Sequence, residues 1–362
     1  MRIRHLSLRP FRNFAALQIP FTADHSLVTA GNGSGKTNLL EAISYLSLGK
    51  SVRRARDAEA VPHGGEYFDI SGDCEDDHAG RQLRLFCSRS EGKTAFCDGA
   101  PLPRLVDLVG RFRTVHFSPQ DVGVVLRSPA ERRRLLDVLL SQSSPAYLQS
   151  LLAYQHALAQ RNRLLRDRRG AGVPAGGWPE IDPWTEQLGR HGAALRCARN
   201  QLVTRIDQDL AALYRHLSGG RETLAIAYHQ GAAALPGDPV AALVAHISSR
   251  LAQDVHLGWT STGPHRDDVQ FTLDGQPADT YASAGQLKSA LVAWKLAEMR
   301  YLETPPGNQP VLLLDDALAE LDERRAAALL ELIAGFAQVI LTSPLPLALA
   351  AHAHFAPVAL PH

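Results

Sequence analysis

The chain opens with short apolar runs that alternate with polar residues. Leu17, Ile19 and Phe21 flank Gln18 and Pro20 with the two-residue period of a strand buried on one face. Ser26 to Ala30 reads as a short buried strand, and after a glycine-rich turn Leu39, Leu40, Ile43 and Leu46 fall on one helical face. Further strands are predicted at Leu83–Cys87, at Thr94–Cys97 ending in an Asp98-Gly99 hairpin turn, and at Thr114–Phe117 closed by Ser118-Pro119. From about Pro129 the period becomes helical. One helix is expected through Arg132–Leu140, and a second after Pro145 with Leu148, Leu151, Tyr154, Leu158 and Leu165 on its apolar face. Gly170 to Gly177 interrupts the pattern, and a long helix then carries Leu188, Leu195 and Leu202, continued by Ile206, Leu210, Leu213 and Leu217. Roughly 35 residues at ~1.5 Å each make it on the order of 50 Å long. The two helices around a glycine-rich turn form either an antiparallel helical arm or part of an ordinary bundle.

Alternation returns after Gly219-Gly220. A strand is expected at Leu224, Ile226 and Tyr228, then a helix with Asp238 as N-cap and Pro239 at its first position. Val269, Phe271 and Leu273 precede an Asp274-Gly275 turn, a helix follows near Leu287–Leu302, and Val311–Leu314 is a buried strand. Leu332 to Leu360 has no formally charged residue, yet Gly335, Pro344, Pro346 and Pro357 break it. That stretch is expected to be a buried strand followed by a packed helix rather than a membrane span. The class is therefore α/β, with a mostly helical insertion.

Composition changes this picture little. The length of 362 residues allows two domains, and 45% apolar residues suffice for a full core. A net charge of +1 supplies no global field toward nucleic acid, so such contacts would come from local clusters. Cys74, Cys87, Cys97 and Cys197 show no metal-ligand spacing, which points to free thiols in a reducing, cytoplasmic setting.

Chemistry enters at Ala30-Gly31-Asn32-Gly33-Ser34-Gly35-Lys36-Thr37. Glycines let backbone N–H groups turn inward, a helix start attracts anionic oxygens, Lys36 reaches β/γ-phosphates and the Thr37 hydroxyl ligates Mg²⁺. This predicts ATP binding. Val311-Leu312-Leu313-Leu314-Asp315-Asp316 is an apolar strand ending in two acids. Asp315 suits a Mg²⁺ ligand and Asp316 a catalytic base or water-positioning group. The wide separation of Lys36 and Asp315 is explained by an insertion, with residues 1–121 and 309–362 forming an ATPase lobe and 122–308 the inserted lobe. Ser283-Ala284-Gly285-Gln286 precedes a helix; Ser283 and Gly285 suit a phosphate contact, and a plain serine N-cap would look the same. Arg161, Arg163, Arg166, Arg168 and Arg169 cluster as DNA-contact candidates or as a solvated face, as do Arg132-Arg133-Arg134 and Arg53, Arg54 and Arg56.

The chain resembles the RecF family, an ABC-type relative of the Rad50 and SMC heads. The likeness lies in Leu6 to Phe14, with its Phe11-Arg12-Asn13 core, in Phe117 to Asp121, and in Pro129 to Asp137. Gly263-Pro264-His265-Arg266-Asp267-Asp268, Ser283 to Lys288, and Asp315 to Asp322 complete it. The departures are Gln120 where the family usually has Glu, Leu135 where it often has an aromatic, Ala30 for the first loop glycine, and Ala319 for a serine before Glu320-Leu321-Asp322. At the end of the last predicted strand, where the family has a histidine, Thr342 and Ser343 stand instead. The resemblance implies an ABC-type head with an inserted helical lobe, and an ATP-dependent homodimer in which each phosphate loop meets the partner's signature at Ser283, Gly285 and Gln286. Gln120 joins Thr37 and Asp315 as a metal-site candidate. It further implies binding to double-stranded DNA near gaps, partnership with RecR, help with RecO in loading RecA, slow hydrolysis, and no membrane.

Overall fold

The structure is a computed structural model that describes the whole chain except residues 54, 77–78, 122–127, 171, 175–176, 221, 232–236, 304–307, 345–353 and 361–362. In chain order it begins with β1 (Arg2–Leu8), β2 (Leu17–Pro20), β3 (His25–Thr29), α1 (Lys36–Leu48) and α2 (Asp57–Ala60). Strands β4 (Tyr67–Glu75), β5 (Gly80–Ser88), β6 (Gly92–Cys97), β7 (Ala100–Pro101) and β8 (Thr114–Phe117) follow. The helical stretch comprises α3 (Pro129–Ser143), α4 (Pro145–Asp167) and α5 (Asp182–Ser218), the last being 37 residues long. Then come β9 (Leu224–His229), α6 (Pro239–Ser249), α7 (Leu251–Leu257), β10 (Asp268–Leu273), β11 (Gln276–Pro277) and α8 (Ala278–Tyr281). The chain closes with α9 (Ala284–Leu302), β12 (Val311–Leu314), α10 (Glu323–Ile333), β13 (Val339–Ser343) and β14 (Ala356–Ala359).

Two compact units result. The first comprises Met1–Gly123, Asp209–Leu224 and Ala282–His362; the second comprises Val124–Gln208 and Ala225–Tyr281. The sequence reading gave residues 282–308 to the insertion. Packing groups them with the first unit, because α9 lies against β8 and buries Leu287, Leu291, Trp294 and Leu302 there.

Within the first unit, five strands run parallel in the order β14-β3-β13-β12-β8. Both faces are covered, so β12 is a continuous apolar run, with Val311 to Leu314 each at most 1% exposed. A second, antiparallel sheet has the order β2-β1-β4-β5-β6-β7. Helix α1 contacts β4 and β5 of that sheet and β8 of the parallel one, and it is buried almost all round, its polar Lys36, Glu41, Ser44 and Ser47 included. The parallel topology matters most for function. It brings the C-terminal ends of β3, β12, β13 and β8 to one edge, where open α/β sheets bind ligands.

The second unit packs α3 on α4 and α7 on α4, beside the small sheet β11-β10-β9. Arg161 on α4 and Asp254 on α7, both fully buried, pair at 2.7 Å. Both expected hairpin turns form: Asp98-Gly99 joins β6 to β7, and Asp274-Gly275 joins β10 to β11. The packed helix expected after β13 falls on residues 345–353, outside the described residues; beyond them β14 returns to pair with β3. The four cysteines are free. No helix among the described residues is long and apolar enough to cross a membrane.

Candidate nucleotide site

Ala30 to Gly35 carries the chain from the end of β3 into α1. Lys36, 5% exposed, folds back so that Nζ donates to Ala30 O at 2.7 Å and to Gly31 O at 3.2 Å. Among the described residues its positive charge is thus met by neutral carbonyl groups alone. The Ser34 Oγ atom is buried without a hydrogen-bond partner. Helix α1 has neither a side-chain cap nor an acid in its first turn, so its leading N–H groups and partial positive charge stand open. A free cation, an orphan hydroxyl and an uncapped helix start fit the phosphate oxygens of a nucleotide. Ala30 is accommodated: its backbone avoids the left-handed region, and its N–H donates to Ser343 O at 3.4 Å.

The residues before the loop clamp it from below. Gly35 has φ 100, and a Cβ there would sit 2.5 Å from Phe14 Cζ and 2.8 Å from Asn13 Nδ2, so only glycine fits. Asn13 Nδ2 donates to Ser34 O at 3.4 Å, and its Oδ1 accepts from Asn38 Nδ2 at 2.8 Å. Arg12 donates to Glu41 at 3.0 and 2.8 Å, and Ser51 Oγ donates to the same fully buried carboxylate. The Phe11 to Phe14 string is therefore the support of the phosphate loop, a role the sequence reading did not assign. The available signal was Glu41, an acid on a helix otherwise buried among leucines, which had to find a partner. Arg53 also approaches this network, with Nη1 3.1 Å from Asn38 Oδ1 and 3.7 Å from Glu41 Oε2. Arg54 lies outside the described residues.

Across the sheet edge, Asp315 is anchored where β12 ends; its N–H donates to Phe117 O at 3.0 Å. Thr37 Oγ1 donates to Asp315 Oδ2 at 2.8 Å, joining the two motifs that the sequence holds so far apart. Thr342 was named in the sequence only as standing where a histidine was expected, and it turns out to be a hub. Its Oγ1 lies 2.9 Å from Asp315 Oδ1 and 3.3 Å from Asp316 Oδ1, and accepts the Asp316 N–H at 3.0 Å. Burial pushes the Asp315 carboxyl above the usual carboxylate range, against the pull of the Thr37 and Thr342 hydrogen bonds. Asp316 takes a left-handed backbone at φ 46, a conformation strained for a residue with a Cβ, and is held there by Thr342. Gln120 is exposed, three residues past the end of β8. Among the described residues no three His, Cys, Asp or Glu side chains gather as a metal cage. A Mg²⁺ ion would be held by Thr37 and Asp315 with substrate oxygens completing its shell, as that ion prefers. When bound it supplies charge neutralisation at the phosphates.

Ser283 caps α9: its Oγ accepts Gln286 N–H at 3.2 Å, and its own N–H donates to Gln286 Oε1 at 2.6 Å. Gln286 Nε2 also donates to Glu222 Oε1 at 2.7 Å. The serine N-cap that the sequence allowed is present, and Ser283 is exposed. None of these bonds reaches residues 30–37 of the same chain.

The arginine cluster divides. Arg163, Arg166 and Arg169 are exposed, while Arg168 is partly covered, pairing with Glu180 and lying over Trp178 at 5.4 Å. Arg161 is a correction: it is 0% exposed, bonded to Asp254, Thr185 and Thr260, and so offers nothing to DNA. Successive residues turn about 100° around a helix, so Arg161, two positions before the exposed Arg163, faces the other way, and its charge forced α4 to bury a partner with it. Arg132 likewise is spent on Asp268 at 2.8 and 2.6 Å, and Arg133 donates to Asp267 O at 2.8 Å.

Comparison with known proteins gives one answer. The family described as RecF/RecN/SMC N terminal domain matches residues 2–346. The DNA replication and repair protein RecF of Thermosynechococcus vestitus is 35% identical over 364 residues, covering 100% of this chain and 93% of the relative. Its counterpart from Heliobacterium modesticaldum is 38% identical over 347 residues, covering 95% and 92%. The solved structure of the recombination mediator protein RecF-ATP in the RecFOR pathway superimposes with a TM-score of 0.87 at 29% identity, covering 96% of this chain and 93% of that one. An SMC head bound to the C-winged helix domain of ScpA shares the fold, with a TM-score of 0.56 at 16% identity, covering 97% and 92%.

Proposed function

The chain belongs to the RecF family, and from that premise we propose that it is an ATP-driven assembly switch that closes as a homodimer on double-stranded DNA beside single-strand gaps. The observation that carries this is the Thr37–Asp315 hydrogen bond at 2.8 Å, opposite a lysine whose only partners are carbonyl groups. Lys36, Ser34 and the α1 N-terminus bind and orient the nucleotide's phosphates. Thr37 and Asp315 hold Mg²⁺, with Gln120 within the same edge of the sheet. Asp316, fixed by Thr342, orients the attacking water. The chemistry is ATP hydrolysis, slow because no serine stands at Ala319 and β13 ends in Thr342 and Ser343 with no histidine there.

The exposed Ser283–Gln286 helix start is uncommitted to its own phosphate loop, and so suits the partner's γ-phosphate. In this reading the ATPase lobe also takes in Ala282 to Leu302. The closed dimer recruits RecR and, with RecO, helps RecA onto the gap; its setting is the cytoplasm.

The deciding experiment uses Asp316→Asn, which keeps the metal ligand and loses the water-orienting group. Sedimentation with saturating Mg²⁺-ATP should show a stable dimer of Asp316→Asn and a monomer of Ser283→Arg that still binds ATP. Mixing Ser283→Arg with Lys36→Ala should restore one composite site per heterodimer. A Ser283→Arg monomer unable to bind ATP would show that the signature acts in cis and end the dimer reading.

A further inference from the structure

Trp259 is 41% exposed, an unusual outlay of indole surface for a soluble unit. Its surroundings are polar and basic. The preceding Gly258 ends α7 with φ 80, and a Cβ there would sit 3.5 Å from Arg166 Cγ and 3.6 Å from Arg169 Cδ. The stems of both arginines therefore lie against the backbone that leads into the indole. Arg163 is one turn earlier on α4. Among the described residues no carboxylate pairs with Arg163, Arg166 or Arg169, and Asp167 is the acid in their midst.

The loop that presents Trp259 is fixed from beneath. Thr260, fully buried, donates from N and Oγ1 to Asn162 Oδ1 at 2.7 and 2.8 Å. Arg161 Nη1 donates to Thr260 Oγ1 at 2.8 Å and to Asp254 Oδ2 at 2.7 Å, and Asp254 Oδ1 accepts Ser261 N–H at 2.8 Å. The buried arginine that touches no ligand is thus a positioning residue for the residue after Gly258. A rigid exposed ring beside unpaired guanidinium groups is the arrangement that stacks a base and neutralises its phosphates.

We propose that Trp259, with Arg163, Arg166 and Arg169, is a base-stacking site for unpaired nucleotides. This rests on the DNA-binding reading above and adds to it a second kind of contact: duplex phosphates need charge alone, whereas a single strand offers π-faces as well. The observed neighbours of the stretch that leads to Trp259 are basic: the Arg166 and Arg169 stems lie against Gly258, and His256, two residues before it, is exposed.

The test uses the full chain with Mg²⁺-ATP, a labelled twenty-nucleotide oligo(dT) and a duplex of the same length. Trp259→Ala should weaken oligo(dT) binding on the order of tenfold and leave duplex binding within about twofold. Trp259→Phe should recover most of the loss. Arg166→Ala/Arg169→Ala should weaken both DNAs and lower the salt slope on the single strand by roughly 1.4. Because Trp259 is exposed, unchanged thermal unfolding confirms that its variants are folded. Equal oligo(dT) affinity in Trp259→Ala and wild type overturns the stacking site, as does an equal loss on both DNAs that phenylalanine fails to rescue. Wild-type binding of the duplex distinguishes that failure from failure of the DNA-binding reading, which falls only if neither DNA is bound.

Discussion

The phosphate loop, read from its own chemistry, and the Gly263–Asp268 segment, one of the strings that resemble the RecF family, are both rich in polar residues. The structure uses them in opposite ways. In the loop, Lys36 has only carbonyl oxygens and Ser34 Oγ has no partner. In the other segment nearly every polar group is consumed internally. Asp267, 1% exposed, accepts from Arg196 Nε and Nη2 at 2.8 Å each, from Tyr228 Oη at 2.7 Å and from Gly231 N at 3.1 Å. Asp268 is taken by Arg132, and Pro264 O by Arg199 at 2.7 Å. Two charged motifs that look alike on paper are a ligand site and an internal brace. What separates them is whether the charges find each other.

That contrast has a direct mechanical test. Removing one member of a buried ionic network strands the others, at a cost of roughly 3–5 kcal/mol. Asp267→Ala should therefore lower the free energy of chemical unfolding by about that amount. Lys36→Ala removes a charge with no ionic partner among the described residues, so its effect should appear in the ligand and not in the fold. ATP affinity should fall by roughly 1.5–3 kcal/mol, the worth of a charge-assisted hydrogen bond, while thermal unfolding without nucleotide stays near wild type. If Lys36→Ala unfolds early and Asp267→Ala does not, the assignment of brace and site is reversed.

The candidate nucleotide site could be read along the chain because its signals are local. Glycines, a lysine and a hydroxyl must sit together in one turn, and a strand must deliver Asp315, so periodicity and spacing suffice to find them. The boundary near residue 282 was not legible, since it depends on which sheet α9 packs against. Nor was Thr342, whose value comes from β13 lying beside β12 in a parallel sheet, a neighbour relation absent from the linear order. Arg161 misled for a related reason. Five arginines in nine positions cannot all face one way on a helix, and hydrophobic periodicity does not report which one turns inward toward Asp254.

His265 sharpens the account of the brace at smaller scale. Thr260 O, at 3.0 Å, can only accept, so His265 Nε2 carries the proton and Nδ1 accepts from Tyr154 Oη at 2.7 Å. Burial pushes this imidazole down to about 4, assisted by Arg266 and Arg133 and opposed by the Thr260 bond and Asp267. The unfolded group titrates near the ordinary 6.5. Between those values the unfolded state binds the proton and the folded state does not, so stability is full above the unfolded value and is lost as pH falls toward 4. From neutrality to one pH unit below the unfolded value the loss should be about 1.4 kcal/mol. Denaturant titrations across that range should show the decline in wild type and a flatter profile in His265→Gln. Parallel slopes would mean that other groups carry the acid sensitivity.

The smallest expected effect lies at Thr342 and discriminates most finely within the nucleotide site. Valine matches threonine in shape but neither donates nor accepts, so Thr342→Val leaves Asp315 Oδ1 and the Asp316 N–H without their nearest partner. The loss in stability should be on the order of 1 kcal/mol for each of these hydrogen bonds, the part-exposed Asp316 side losing less because water can replace its partner. The Thr37–Asp315 contact does not involve Thr342, so ATP affinity should stay within about threefold, less than that one hydrogen bond. Hydrolysis should suffer more, because Asp316 keeps its left-handed backbone only while its N–H is held. Thr342→Ser preserves the hydroxyl and should restore turnover. Should Thr342→Val reduce ATP affinity and turnover in equal proportion, Thr342 acts through Asp315 as part of the metal site. A selective loss of turnover places its action on Asp316.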